Sequence, residues 1–132
     1  MDQDIRIGSP TVPTAGAAVT LFDSTKVFGT MGLRMNCIHR ATVSFYGLDQ
    51  NVTLSGKSSP DHGTNWYTET FAASGDPNAL PLTVTADATG VSSFDIDITA
   101  HDDVQLLATA GTPAPTVWKV TIVLIIDRSS AT

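Results

Sequence analysis

The sequence predicts an all-β fold: a single antiparallel β-sandwich or jelly roll of about eight or nine strands, with an extended N-terminal arm. Residues that normally build exposed helix faces are scarce, because Glu69 is the only glutamate and the chain has three lysines. Apolar residues instead recur at every second position, which is the pattern of a half-buried strand. With 132 residues, the chain has the length of one domain with its own hydrophobic core.

Residues 1–17 lack this alternation and contain Pro10 and Pro13, which have no backbone donor. We therefore expect an N-terminal arm here, followed by a β-sandwich domain at 18–128 and a C-terminal tail at 129–132. The arm either frays, as termini usually do, or orders against a neighbouring subunit. In the second case its partner-binding residues would be Asp2, Asp4, Ile5 and Ile7.

The clearest strand runs from Leu33 to Tyr46, where apolar residues occupy the odd positions. A slip of one residue would exchange the two faces, so the register of this strand is firmly specified. We expect the odd-numbered side chains in the core, with Ile38 and Tyr46 as apolar exceptions on the exposed face.

The later strands follow the same rule and are separated by residues typical of turns. The last strand differs, because Val123 and Ile125 make its second half apolar on both faces. This indicates a central strand or one covered by a partner. The alternating segments are Val52–Leu54, Leu80–Val84, Phe94–Ile98, Val104–Ala108 and Val117–Ile126. The predicted turns are 47–51, 58–63, 75–78, 87–90 and 111–115.

Charge and composition argue against several classes of partner. The net charge is -6, and the seven Lys and Arg residues form no cluster, so we expect no nucleic-acid binding. The longest strongly apolar run, Val120–Ile126, is about a third of the ~20 residues that span a bilayer, so we expect no membrane association. Cys37 has no cysteine partner and lies in an apolar run, which favours an inert buried thiol and folding in a reducing compartment. No signal peptide is visible, so we expect synthesis in the cytoplasm.

Acidic residues cluster late in the chain, at Asp95, Asp97, Asp102 and Asp103. Carboxylates are ligands for Ca²⁺, and a pair of them can hydrolyse a glycosidic bond. The simpler interpretation is a solvated strand face followed by an acidic turn, since no Asp-x-Asp-x-Asp-Gly loop is present. We expect no metal site and no cofactor, with a bound divalent cation as the alternative.

The histidines give no catalytic pattern. His39, His62 and His101 lie far apart in sequence, and none has a His or Cys at a metal-ligand spacing. Cys37 and His39 share one strand face, but nothing else marks an active site around them. No phosphate-binding glycine loop and no Gly-x-Ser-x-Gly motif occurs. We therefore expect that the chain is not an enzyme.

Three aromatic residues are candidates for the core or for binding. Trp66 and Tyr67 are adjacent in a strand segment, so they must face opposite sides. We expect Trp66 and Trp118 in the core and Tyr67 exposed. An exposed tyrosine can anchor a protein interface or stack on a sugar, so Tyr67 joins the predicted partner-binding residues.

The segment Ser59–Tyr67 resembles the S-x-D-G-x-x-W-Y hairpin of small β-sandwich proteins from tailed bacteriophage particles, with His62 inserted before the glycine. Residues 101–111 and 118–122 are similar to the last two strands of such domains, and the likeness in pattern covers 33–126. The resemblance implies a non-catalytic virion protein, often a homotrimer, that binds the major capsid protein or another virion protein. Within this group we expect a capsid decoration (cement) protein that binds and stabilises the assembled head, with a head-fibre or tail accessory protein as the alternative. A short Asp-Gly-Trp hairpin also occurs in sugar-binding repeats, so a carbohydrate-binding module is the alternative.

Overall fold

The strands form two antiparallel sheets in the computed structural model, which describes residues 2–7, 12–25, 38–61, 63–71, 79–98 and 103–127. Nine strands lie in this part of the chain, and helix is assigned only to residues 24–25 there, which confirms the predicted all-β class. No helix long and apolar enough to span a membrane occurs among these residues. The strands are β1 Asp2–Ile7, β2 Ala18–Asp23, β3 Ile38–Leu48, β4 Val52–Ser59, β5 Tyr67–Thr68, β6 Leu82–Val84, β7 Asp87–Asp97, β8 Asp103–Ala110 and β9 Lys119–Asp127.

The pairing of the strands is that of a jelly roll. The first sheet has the order β1-β9-β3-β7, and the second has the order β2-β8-β4-β5, with β6 also pairing with β4. The first strand therefore pairs with the last, β2 with β8, β3 with β7, and β4 with the short strands β5 and β6. This nested pairing of two sheets is that of a jelly roll, which is one form of β-sandwich, so the predicted architecture is confirmed.

One hydrophobic core fills the space between the two sheets. Alternate residues of β3 are fully buried, as the odd-position rule predicts, and Trp118 packs its ring against Phe45 with centroids 5.7 Å apart. The first sheet contributes Ala41, Val43, Phe45, Ile96, Val120, Ile122 and Leu124 to this core, and the second contributes Phe22, Val52, Leu54, Val84, Val104, Leu106 and Ala108. The strand β9 lies between β1 and β3, which confirms the expected central position of the last strand.

A close approach across the second sheet depends on a missing side chain. Gly56 lies in the middle of β4, and a Cβ there would be 2.8 Å from Cδ2 of Phe71 and 3.0 Å from Cδ1 of Leu80. The Phe71 ring thus occupies the space that a side chain at residue 56 would need. Phe71 itself has a φ of 54°, a conformation that few non-glycine residues adopt.

The expected turn at 87–90 is wrong, because these residues begin β7. Leu48 pairs with Asp87 and Tyr46 with Val91, so β7 advances four residues while β3 advances two. The excess forms a β-bulge, which needs the same small and flexible residues as a turn. At Gly90 in this bulge, a Cβ would lie 2.8 Å from the carboxyl carbon of Asp87.

The first residues of the predicted arm belong to a sheet. Asp2–Ile7 form β1 and pair along β9, with Ile5 opposite Leu124 and Ile7 opposite Ile122. The predicted boundary at residue 18 therefore separates β1 from β2.

Several predicted features lie outside the described residues. These are the start of the Leu33–Tyr46 strand including Cys37, the turn 75–78, His62, His101, Asp102 and the tail 129–132.

Candidate functional site

A small exposed apolar surface lies on the outer face of the first sheet. Tyr46 of β3 is 43% exposed and sits directly opposite Val91 of β7, which is 50% exposed. On its other side Tyr46 pairs with Lys119 of β9, and Val117 just before that strand is 67% exposed. We call Tyr46, Val91 and Val117 the Tyr46 patch. An exposed tyrosine paired with an exposed valine on a sheet is a candidate for a protein contact, because tyrosine is enriched at interfaces.

Hydroxyl groups cover the sheet next to this patch. Ser44 and Ser93 form a hydrogen bond of 2.8 Å between their hydroxyls, and Thr42 donates to Asp95 over 2.6 Å. Both bonds join β3 to β7 directly across the pair, which is how side chains stabilise neighbouring strands. The outer face therefore has a hydrogen-bonded polar centre with the apolar patch at one end.

Hydrogen bonds between Thr116 and Asp49 hold the segment that contains Val117. Asp49 follows β3 and accepts hydrogen bonds from the backbone amide and the hydroxyl of Thr116. The Thr116 hydroxyl, followed by the Thr116 amide, lowers the pKa of Asp49 from its ordinary value. These hydrogen bonds connect the turn after β3 to the segment just before β9, so they restrain Val117 of the Tyr46 patch.

The Ser59–Tyr67 hairpin forms a self-contained hydrogen-bond network. Asp61 accepts bonds from the Asn65 amide, from the Asn65 side chain and from the Ser59 hydroxyl, each at 2.8 Å. The Asn65 amide contributes most to lowering the pKa of Asp61, followed by the Asn65 side chain and Ser59. The Gly63 amide also donates to Ser59. This carboxylate therefore organises a loop.

The aromatic pair after this loop is arranged differently from the prediction. Tyr67 is 59% exposed, as expected, at the start of the two-residue strand β5. Trp118 is buried in the core, but Trp66 is only half-buried. A Cβ at Gly63 would lie 3.3 Å from the Trp66 ring and 3.3 Å from the methyl group of Thr25, so both groups lie close to this glycine of the loop. Trp66 ends the loop before β5 begins, so strand alternation does not direct it into the core.

Two buried carboxylates close the end of the second sheet. The Ser24 hydroxyl donates to Asp103 over 2.8 Å and accepts a bond from the Val104 amide. Asp23 accepts bonds from the amide and hydroxyl of Thr25 and from the side chain of Gln105. These groups satisfy one another and connect the end of β2 to the start of β8, which is a structural role.

The predicted acidic cluster is divided between the two sheets. Asp95 and Asp97 are exposed on β7 in the first sheet, and Asp103 is buried against Ser24 in the second. Among the described residues, no group of three or more His, Cys, Asp or Glu side chains is placed to hold a metal ion.

The structure places the predicted partner-binding residues on two different sheets. Asp2, Asp4, Ile5 and Ile7 lie in β1 at the edge of the first sheet, and Tyr67 is exposed on the second. Sequence reasoning placed Tyr46 on the exposed face but missed the other two members of the Tyr46 patch. Val91 was hidden by the turn assigned to 87–90, and Val117 was assigned to the last strand.

Comparisons with known proteins add one likeness. No family model matches the chain, and no curated protein matches it. Among solved structures, the fold is similar to the crystal structure of SPBc2 prophage-derived protein YomS, with a TM-score of 0.52 and 10% sequence identity. The match covers 95% of this chain and 95% of that one. At this identity the likeness shows a shared fold.

Proposed function

We propose that this chain is a non-enzymatic structural protein of a tailed-phage particle, and that it is a capsid decoration protein that binds the assembled head. The observation that carries the proposal is the fold likeness to a prophage-derived protein over nearly the whole of both chains. The hairpin resemblance of Ser59–Tyr67 supports the same setting, and jelly rolls are used by viral capsid domains. The virion is then the site of action, after synthesis in the host cytoplasm.

The chemistry of the described acidic groups supports a structural role. Asp49 and Asp61 hold loops together, and Asp23 and Asp103 join strand ends. Each of these carboxylates is engaged by hydroxyl or amide donors of the fold itself. A catalytic carboxylate instead needs to face a substrate pocket with a partner group in a defined role.

The contact surface that we propose for the head is the Tyr46 patch. Tyr46 and Val91 form a directly paired apolar couple on a sheet whose neighbouring side chains are Ser and Thr. Burying them against the major capsid protein would remove apolar area from water at about 25 cal/mol per Å². Decoration proteins commonly act as oligomers, so we also propose a homo-oligomer, with a trimer as the specific expectation.

Sedimentation with phage heads tests this proposal. The purified chain is mixed with assembled heads, unassembled capsid protein and separated tails, and each fraction is pelleted. We expect saturable binding to assembled heads, and light scattering of the free chain should give a trimer mass. Binding to tails alone would replace the decoration role with a tail accessory. No affinity for any fraction would refute the proposal.

Paired variants locate the contact. The double variant Tyr46→Ser, Val91→Ser should bind heads at least about tenfold more weakly, which corresponds to about 1.4 kcal/mol. Tyr67→Ser is the matched control, because it also removes an exposed tyrosine but from the second sheet. It should bind normally. Loss of binding in the Tyr67 variant alone would move the contact to the residue that the sequence predicted.

The exposed Tyr67 beside the half-buried Trp66 favours a second candidate, a carbohydrate-binding module. Here the aromatic ring would stack on a sugar. A glycan array read before and after Tyr67→Ala separates the two functions, since a decoration protein should give no glycan signal that depends on this residue.

A further inference from the structure

The outer strand β7 presents an unusually long sheet edge. Its 11 residues span about 36 Å at ~3.3 Å per residue, whereas the mean strand has about five or six residues. One side of β7 pairs with β3 from Arg40 to Leu48, and no strand of the described chain pairs with the other side. Such an edge carries backbone donors and acceptors that can pair with another strand.

The charges on this edge have one sign. Asp87, Asp95 and Asp97 lie on β7 and are exposed, and the strand contains no lysine or arginine. Arg40 on β3 is the Cα partner of Asp97, so a cation flanks the strand on its inner side at one end. The β7 edge therefore lies beside three exposed carboxylates, of which that of Asp95 also accepts the hydroxyl of Thr42 on β3.

Self-pairing of β7 with a second copy of this chain in either full-length register brings like charges together. If β7 paired with itself over its full length in the antiparallel sense, residues whose numbers sum to 184 would face each other. Asp87 would then oppose Asp97 of the second copy, and this pair would occur twice by symmetry. Parallel self-pairing in register would place each aspartate beside its copy. Like charges directly opposite each other destabilise a strand pair.

From these features we infer that the edge of β7 with which no described strand pairs binds an extended segment of a different, basic protein, which adds as an antiparallel strand to the first sheet. Its basic residues would oppose Asp97 and Asp95, which are two positions apart. In the partner segment, the residue four positions after the second basic residue would oppose Val91. An apolar side chain there would extend the Tyr46 patch. The required pattern is basic-x-basic-x-x-x-apolar. This mode of recognition takes affinity from the backbone and specificity from alternate side chains.

A synthetic peptide tests the inference without any phage component, so its result is independent of the proposed head binding. The probe has the sequence Lys-Thr-Lys-Thr-Ser-Thr-Val-Thr with blocked ends, and its control has glutamate in place of both lysines. Calorimetric titration should show binding of the lysine peptide only, weakening as salt rises from 50 to 500 mM because the charges are exposed.

Charge-matched variants show whether β7 is the site. The double variant Asp95→Asn, Asp97→Asn should bind the peptide about tenfold more weakly or worse, from two lost cross-strand charge pairs. The control Asp2→Asn, Asp4→Asn makes the same change in net charge at the β1–β9 edge, and it should bind normally. Equal losses in both would mean attraction to the net charge alone and would overturn the inference.

Backbone pairing is tested by methylating the peptide amides. Successive amides of a strand point alternately to its two edges. N-methylation of the peptide amides that face β7 should therefore abolish binding, whereas N-methylation of the amides that face away from β7 should leave the affinity unchanged. Equal behaviour of the two sets would overturn the strand-addition model. If peptide binding instead dissociates a homo-oligomer of the chain, β7 is the contact between copies and the inference is wrong. Circular dichroism confirms that each protein variant is folded.

Discussion

The contact between Gly56 and Phe71 gives a sharp test of how the second sheet packs. In the variant Gly56→Ala the new methyl group would lie 2.8 Å from Cδ2 of Phe71, and closer still to Cε2. Ordinary carbon contacts are about 3.5–4.0 Å, so the ring must move by about 1 Å. Phe71 is 5% exposed and Leu80 is 2% exposed, which leaves the ring little room. Overpacking of this kind costs about 1–3 kcal/mol.

Thermal unfolding measures this cost. At ~2.1 cal/mol/K per residue, the unfolding entropy of 132 residues converts each kcal/mol into about 3–4 °C, so the melting temperature should fall by about 4–11 °C. Gly111→Ala is the matched control, because the nearest atom to a Cβ there is the Asn51 carbonyl oxygen at 4.0 Å. It should change the melting temperature little. Adding Phe71→Leu to Gly56→Ala should cost less than the sum of the two single changes, since the smaller side chain removes the collision. A Gly56→Ala protein as stable as its parent would refute this account of the packing.

Four further predictions concern the polar groups and the chain ends. Ser24→Ala should lower the free energy of unfolding by about 1–3 kcal/mol in a urea titration, because it leaves the buried Asp103 carboxylate and the Val104 amide without their shared hydroxyl. Hydrogen bonds lower the pKa of Asp61 below its ordinary value of 3.8. The contribution of this carboxylate to stability is therefore complete above pH 3.8 and is lost as the pH falls through the lower pKa of the folded protein. The Asn65 amide resonance should follow that titration, and a midpoint at or above 3.8 would contradict the prediction. Deleting residues 1–7 should expose β9 to hydrogen exchange, whereas a free arm would leave its amides protected. Calcium in excess over EDTA should leave the melting temperature unchanged; a shift equivalent to about 2.7 kcal/mol, as expected at one hundred times a dissociation constant, would reveal a metal site.

The faces of the strands were predictable because strand alternation is a local property. The buried residues of β3 and the exposed aspartates of β7 follow from every-second-residue patterns that can be found in a short window. The central position of β9 also followed, since Val123 and its neighbours make that strand apolar on both faces. These features need no knowledge of what lies opposite each strand.

The partners of the strands were not predictable in the same way. The pairing of β1 with β9 joins residues more than a hundred positions apart, and no spacing within β1 specifies it. Pro10 and Pro13 lie after β1, and their presence obscured a six-residue strand. The bulge at 87–90 was hidden because bulges and turns use the same residues. Consequently Val91 was missed as a member of the Tyr46 patch.

The hydrogen-bond networks show a third limit of the sequence. The hairpin around Asp61 was identified as a turn, and its residues are close in sequence. The pairs Ser24–Asp103 and Asp49–Thr116 are separated by 79 and 67 positions, so only the folded chain brings them together. The structural roles of the individual acidic residues therefore depend on the jelly-roll topology.

An electron-microscopy map of the native particle, at a resolution that separates strands, tests the central proposal most directly. We predict density for this jelly roll at regular positions on the outside of the head, with the Tyr46 patch of the first sheet facing the capsid protein. A map in which other proteins account for all density of the head surface would contradict the account.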